Sequence, residues 1–160
     1  MGKIATRFAL IFVVAATIGC DRATKHLASA TLAGTPPRSF LADSVRLDYV
    51  ENPDGFLSLG ATLPPALRTA LFTTCTGVLL FALAAAAIRL RWRGWSLFGV
   101  TLLVAGGSSN WADRIARGSV VDFLSIGLGS LRTGIFNVAD VAIMLGMALL
   151  LVGHSQVENA

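Results

Sequence analysis

The chain has 160 residues, is 54% hydrophobic and only 14% charged, and carries a net charge of +4. That length suggests one domain, residues 1–160, and so apolar a chain lacks the surface polarity of a small soluble protein; a polytopic membrane protein is the first reading. No basic stripe interleaves with aromatic residues, which argues against a nucleic-acid partner.

Four apolar stretches, at about 8–28, 66–88, 95–112 and 137–153, each approach the ~20 residues that an ~30 Å hydrocarbon core requires. The predicted fold class is therefore an all-α polytopic protein with four transmembrane helices. Lys3 and Arg7 precede the first stretch, and Arg89, Arg91 and Arg93 crowd the connection between the second and third. The positive-inside rule places both segments, and hence both termini, in the cytoplasm. Arg22, Lys25, Arg38, Arg46, Arg68, Arg114, Arg117 and Arg132 then fall on the outer side and dilute the rule. Cys20 and Cys75 lie inside apolar runs. Two cysteines make no disulfide framework and show no metal-ligand spacing, so they read as small buried hydrophobes.

Near the outer end of the first span, Asp21 and Lys25 are four apart, which by itself signals a helix-end salt bridge. In the following outer segment Val45, Leu47 and Tyr49 alternate with Arg46 and Asp48, a strand pattern. Asn52-Pro53-Asp54-Gly55 reads as a type I turn, with Phe56 to Leu59 returning as the second strand of a small surface β-hairpin. The third span ends in Gly106-Gly107-Ser108-Ser109-Asn110, whose small residues permit close helix approach, followed by Asp113-Arg114. Asn110, Asp113 and Arg114 are spaced to share one face, and Asp113 with Arg114 reads on spacing alone as an interfacial ion pair.

Two carboxylates stand apart from these. Asp122 is embedded in the loop run Val120-Val121-Asp122-Phe123, where desolvation should raise its pKa. Asp140 lies just inside the apolar stretch that opens the fourth span, a costly place for an acid, and shares a helical face with Asn137, a plausible N-cap. Two acids meeting at a membrane edge are the minimum equipment of an aspartyl protease.

The ordered blocks Asp21-x-x-Thr24-Lys25, Glu51-Asn52-Pro53, Gly106-Gly107-x-x-Asn110-x-x-Asp113-Arg114, Gly118-x-Val120-Val121-Asp122-Phe123 and Phe136-Asn137-x-Ala139-Asp140 resemble the lipoprotein signal peptidases, or signal peptidase II, over nearly the whole chain. The resemblance implies an aspartic endopeptidase of the bacterial inner membrane with its site at the outer face. It would cut diacylglyceryl-modified prolipoproteins on the amino side of the lipidated Cys. It implies Asp122 and Asp140 as catalytic dyad, supported by Asn110 and Asn137. Asn52 and Arg114 would touch the substrate backbone, and Asp21 and Lys25 would hold the local architecture. The hairpin becomes a cradle against the bilayer. Prolipoproteins and membrane lipids are the implied partners, a monomer the implied state, and no metal or other cofactor is needed. Two departures stand out: Ser109 where the family commonly has Gly, and Asp54-Gly55 where Gly then Ala is usual, the latter bearing on substrate preference.

Other readings fit less well. A rhomboid-type serine site needs an intramembrane His, whereas His26 and His154 lie at span ends; a Gly-x-Gly-Asp protease fails because Ser130 follows Gly127-Leu128-Gly129. A transporter using Asp140 as ion site lacks the expected inverted repeats or broken helices. Thr17-Ile18-Gly19-Cys20 imitates the signal of a lipoprotein, but three further spans follow.

Overall fold

A computed structural model describes residues 3–53, 64–129 and 131–158. Four long helices carry the chain: α1 (Lys3–Thr31), α2 (Pro65–Arg89), α3 (Gly94–Arg117) and α4 (Val138–Glu158). Strands β1 (Arg38–Phe40) and β2 (Val45–Asn52) follow α1, and β3 (Val120–Leu128) and β4 (Leu131–Arg132) follow α3. The architecture is thus mostly helical, as expected, with a small antiparallel sheet of four strands where a single hairpin was expected.

The helices turn their apolar side chains outward. Phe8, Phe12, Phe81, Met144 and Leu151 are exposed, while Asp21, Lys25, Asn110, Asp113 and Asn137 are buried. A bilayer makes such a distribution possible, because lipid tails are as apolar as leucine and exert no hydrophobic drive between helices. Among the described residues two helices contain stretches long and apolar enough to cross a membrane, Ile4–Thr31 and Ala70–Arg89; Val138–Gly153 is apolar but shorter. Cys20 and Cys75, expected to be buried, are exposed on outer helix faces, since the interior is taken by polar groups.

Small residues let α3 and α4 approach closely. A Cβ added at Gly99 would come within 2.7 Å of the Gly146 carbonyl oxygen, and one at Gly106 within 2.5 Å of the Ala139 carbonyl oxygen. The contact at Gly106 fixes the first turn of α4 against α3. At its far end α3 stops at Gly118, whose φ of 76° is left-handed and whose N–H caps the Arg114 carbonyl at 3.0 Å. That turn delivers the chain directly into β3.

The four strands form one antiparallel sheet in the order β1-β2-β3-β4. The strand expected at Val45–Tyr49 is present and runs on to Asn52, but its described partners are β1 and β3. The expected return strand, Phe56 to Leu59, and Asp54-Gly55 lie outside the described residues. Asp122 therefore stands on a paired strand, correcting the expected loop. Val45 and Leu47 pair with Ile126 and Leu124 of β3, and Leu47 and Tyr49 pack against the cluster that inward Val121 forms with Ala28 and Leu32 at the end of α1. Between Leu47 and Val50 the register shifts by one residue, a bulge that bends β2 before it reaches Asn52.

Candidate active site

The backbone itself brings the two carboxylates together. Just before α4, Phe136 forms an isolated antiparallel bridge with Leu124 of β3, donating its N–H to the Leu124 carbonyl at 2.8 Å and accepting the Leu124 N–H at 2.9 Å. This clasp sets Asn137 beside Asp122. Asn137 then opens α4 as its N-cap: its Oδ1 accepts the Asp140 N–H at 3.0 Å, and Asp140 Oδ2 accepts the Asn137 N–H at 3.0 Å. The reciprocal pair is a capping box with Asp in place of the usual Glu.

Every carboxylate oxygen of the pair has an amide donor. Asp122 Oδ1 accepts from Asn137 Nδ2 at 2.7 Å and its Oδ2 from Asn52 Nδ2 at 2.9 Å. Asp140 Oδ1 accepts from Asn110 Nδ2 at 2.9 Å. Asn52 reaches Asp122 because Val50 lies opposite Asp122 across the ladder, so Asn52 is the diagonal neighbour on the same face. Burial pushes the Asp122 carboxyl above its ordinary range; the Asn52 amide opposes this, and the negative charge of Asp140 adds to it. The expected upward shift is thus present, with desolvation as its main cause.

Beneath Asp140 lies a buried ionic cluster. Asp21 is 0% exposed; its Oδ1 accepts the Ala139 N–H of the first turn of α4 at 2.9 Å, and its Oδ2 accepts from Ser109 Oγ at 2.6 Å and pairs with Lys25 Nζ at 2.7 Å. Lys25 Nζ donates further to Asn110 Oδ1 at 2.7 Å and Asp113 Oδ2 at 2.8 Å. All three ammonium donors have acceptors, and the Lys25 bond turns the Asn110 carbonyl inward so that its NH2 faces Asp140. Asp113 Oδ1 accepts from Arg22 Nη1 at 2.5 Å. Asp113 therefore takes its counter-charges from α1, which corrects the expected Asp113–Arg114 pair; adjacent residues on a helix do not face each other.

All eight residues singled out from the sequence fall in or beside this site. Asp122, Asp140, Asn52, Asn110 and Asn137 form one hydrogen-bonded group, with Asp21 and Lys25 behind it. Arg114 is close enough for its charge to act at Asp140, and its Nε is buried without a hydrogen-bond partner among the described residues. Arg22, Ser109 and the pairing of Asp113 were not read from the sequence. One signal could have found the pairing of Asp113: a buried Lys25 needs more acceptors than Asp21 alone supplies.

Apolar-faced helices around paired, fully hydrogen-bonded carboxylates define a class: a lipid-facing protein with the parts of an acid–base hydrolase. Residues 13–155 match the family described as Signal peptidase (SPase) II. The chain is 33% identical over 149 residues to the lipoprotein signal peptidase of Desulforapulum autotrophicum, covering 88% of this chain and 87% of that one. It is also 33% identical over 146 residues to the lipoprotein signal peptidase of Sphingopyxis alaskensis, covering 90% and 83%. Its fold is similar to that of two solved bacterial membrane enzymes. One has a TM-score of 0.80 at 21% identity over 92% of this chain and 88% of that one; the other 0.76 at 23% over 90% of each. The chain belongs to the signal peptidase II family, bacterial membrane proteases that remove signal peptides from prolipoproteins.

Proposed function

We propose that Asp122 and Asp140 are the catalytic dyad of an aspartic endopeptidase, which cleaves diacylglyceryl-modified prolipoproteins on the amino side of the lipidated Cys. One observation carries the reading: Asn137 bonds to both acids, so the buried Asp122 and the half-buried Asp140, on different elements, are held as a single unit. Close carboxylates do not both ionise cheaply, so they share a proton and titrate as a pair.

In the proposed cycle the ionised carboxylate takes a proton from a water molecule as its oxygen attacks the scissile carbonyl carbon. The protonated partner gives its proton to the carbonyl oxygen, forming a tetrahedral diol. Collapse of the diol breaks the C–N bond while a proton passes to the leaving nitrogen. The products are the free carboxyl end of the signal peptide and a free amino group on the lipidated Cys. Asn110 and Asn137 hold the acids in register. The buried, unpartnered Nε of Arg114 supports a role as donor to a substrate carbonyl, and Asn52, bonded to Asp122 at the end of β2, would contact the peptide backbone.

The same reading makes residues 1–160 one domain with four spans, both termini cytoplasmic and the dyad at the outer face of the inner membrane. The sheet lies against the lipid surface, and the monomer is the working unit. Exposed apolar side chains on all four helices support this placement. The test is cleavage of a lipidated precursor by Asp122→Asn and Asp140→Asn proteins. Turnover should vanish in both while folding persists, and near-parental turnover in either refutes the dyad.

A further inference from the structure

The charges around the dyad balance only if Arg22 is counted. From α1 come Asp21, Arg22 and Lys25; from α3, Asp113 and Arg114; from β3, Asp122; from α4, Asp140. Glu51 of β2 is exposed and bonded to Tyr49 and Ser119, outside the group. Four carboxylates thus face three cations, and the interior is neutral when the acids together hold one proton. That is the state in which one member of a dyad is a base and the other an acid.

Of the three cations, Lys25 is spread over Asp21, Asn110 and Asp113, and Arg114 faces the dyad. Arg22 touches only Asp113 among the acids, at 2.5 Å, and its side chain is 40% exposed while that of Asp113 is 3%. Of the three, Lys25 is buried, whereas Arg22 and Arg114 are both partly exposed. Arg22 stabilises a buried acid whose only other direct ion pair among the described residues is with Lys25, the charge of Arg114 acting without contact.

Resting on the dyad reading above, we propose that Arg22 is a positioning residue which, through Asp113, completes the counter-charge of the buried cluster and so sets the pH range in which the dyad holds a single proton. Without Arg22, Asp113 keeps its charge with half its partners, and the interior carries one more negative charge. An added negative charge makes protons harder to remove from neighbouring acids. Both limbs of the pH–activity curve should then move to higher pH. The shift should be about 0.5 unit, less than the 1–3 units of a partner in direct contact, because Arg22 acts across Asp113 and is partly solvated.

The test is the pH dependence of kcat/KM on a lipidated precursor for full-length Arg22→Gln, Arg22→Lys, Asp113→Asn and the double variant Arg22→Gln/Asp113→Asn. Arg22→Gln should move the curve up, Arg22→Lys should restore it, and Asp113→Asn alone should move it down. The double variant, neutral again, should return towards the parent. An Arg22→Gln curve that keeps its position while only its height falls means a merely structural contact and overturns the proposal. A shift that Arg22→Lys does not correct overturns it as well. Should the Asp113 variants fail to fold, the Arg22 pair alone decides. Failure of the dyad reading is distinguishable, since it would appear as retained turnover in Asp122→Asn or Asp140→Asn.

Discussion

Asn137 has two roles that substitution can separate. Its Oδ1 caps α4 through the Asp140 N–H, and its Nδ2 donates to Asp122 Oδ1 at 2.7 Å. Asn137→Ala removes both. Loss of an N-cap costs about 1 kcal/mol of stability. Loss of a hydrogen bond to a charged group costs about 1.5–3 kcal/mol, and here the group left behind is buried. If the second quantity falls on the transition state, kcat drops by about 10- to 150-fold, at 1.36 kcal/mol per factor of ten. Asn137→Ser keeps a capping oxygen but is too short to reach Asp122. It should recover the unfolding temperature of the parent while staying as slow as the alanine variant. Initial rates on a fluorogenic lipidated peptide in detergent micelles, with thermal unfolding of the same preparations, read the two effects. Serine restoring rate and stability together would refute the role given to the Asn137–Asp122 bond.

Three other perturbations probe the supports. Lys25→Met strands Asp21, leaves Asp113 with Arg22 alone and frees the Asn110 amide to turn, so unfolding should be easier by about 3–5 kcal/mol; an unchanged melting midpoint in detergent would contradict this. Gly106→Ala forces a methyl against the Ala139 carbonyl, which should cost about 1–3 kcal/mol and lower kcat more than it raises KM, as steady-state kinetics would show. For pH, the folded Asp122 holds its proton more tightly than the unfolded chain does, whose ordinary value is 3.8. Its contribution to stability is complete below that value and is lost as pH rises through the folded pKa. Melting midpoints should therefore fall more steeply with rising pH in the parent than in Asp122→Asn, and parallel curves would exclude the effect.

Much of the site was legible because its chemistry is local. Asn137 and Asp140 are three apart, the spacing that a capping box demands, and Asp122 is flanked by valines that announce its burial. Asp21 and Lys25 are one helical turn apart and do pair. Long-range pairing was harder. The Val45–Tyr49 alternation specifies a strand but not its partners, and a nearby turn signal suggested a following hairpin strand where the described partners are β1, just before it, and β3, beyond two helices. Val120 to Phe123 lacks alternation because both faces are covered there, so a strand read as a loop. The Arg22–Asp113 pair was hidden for the same reason: each sits beside a more obvious partner in sequence, and only helix packing decides between them. The expectation of buried cysteines assumed an oily interior, which this bundle does not have.

The bridge between Leu124 and Phe136 has a mechanical consequence. It couples a strand lying across the bundle end to the first turn of a long helix, with Asn137 as the bolt between them. Tilting of α4 would swing both acids as passengers of one rigid elbow instead of prying them apart. Tolerance of helix movement is thereby built into the joint itself.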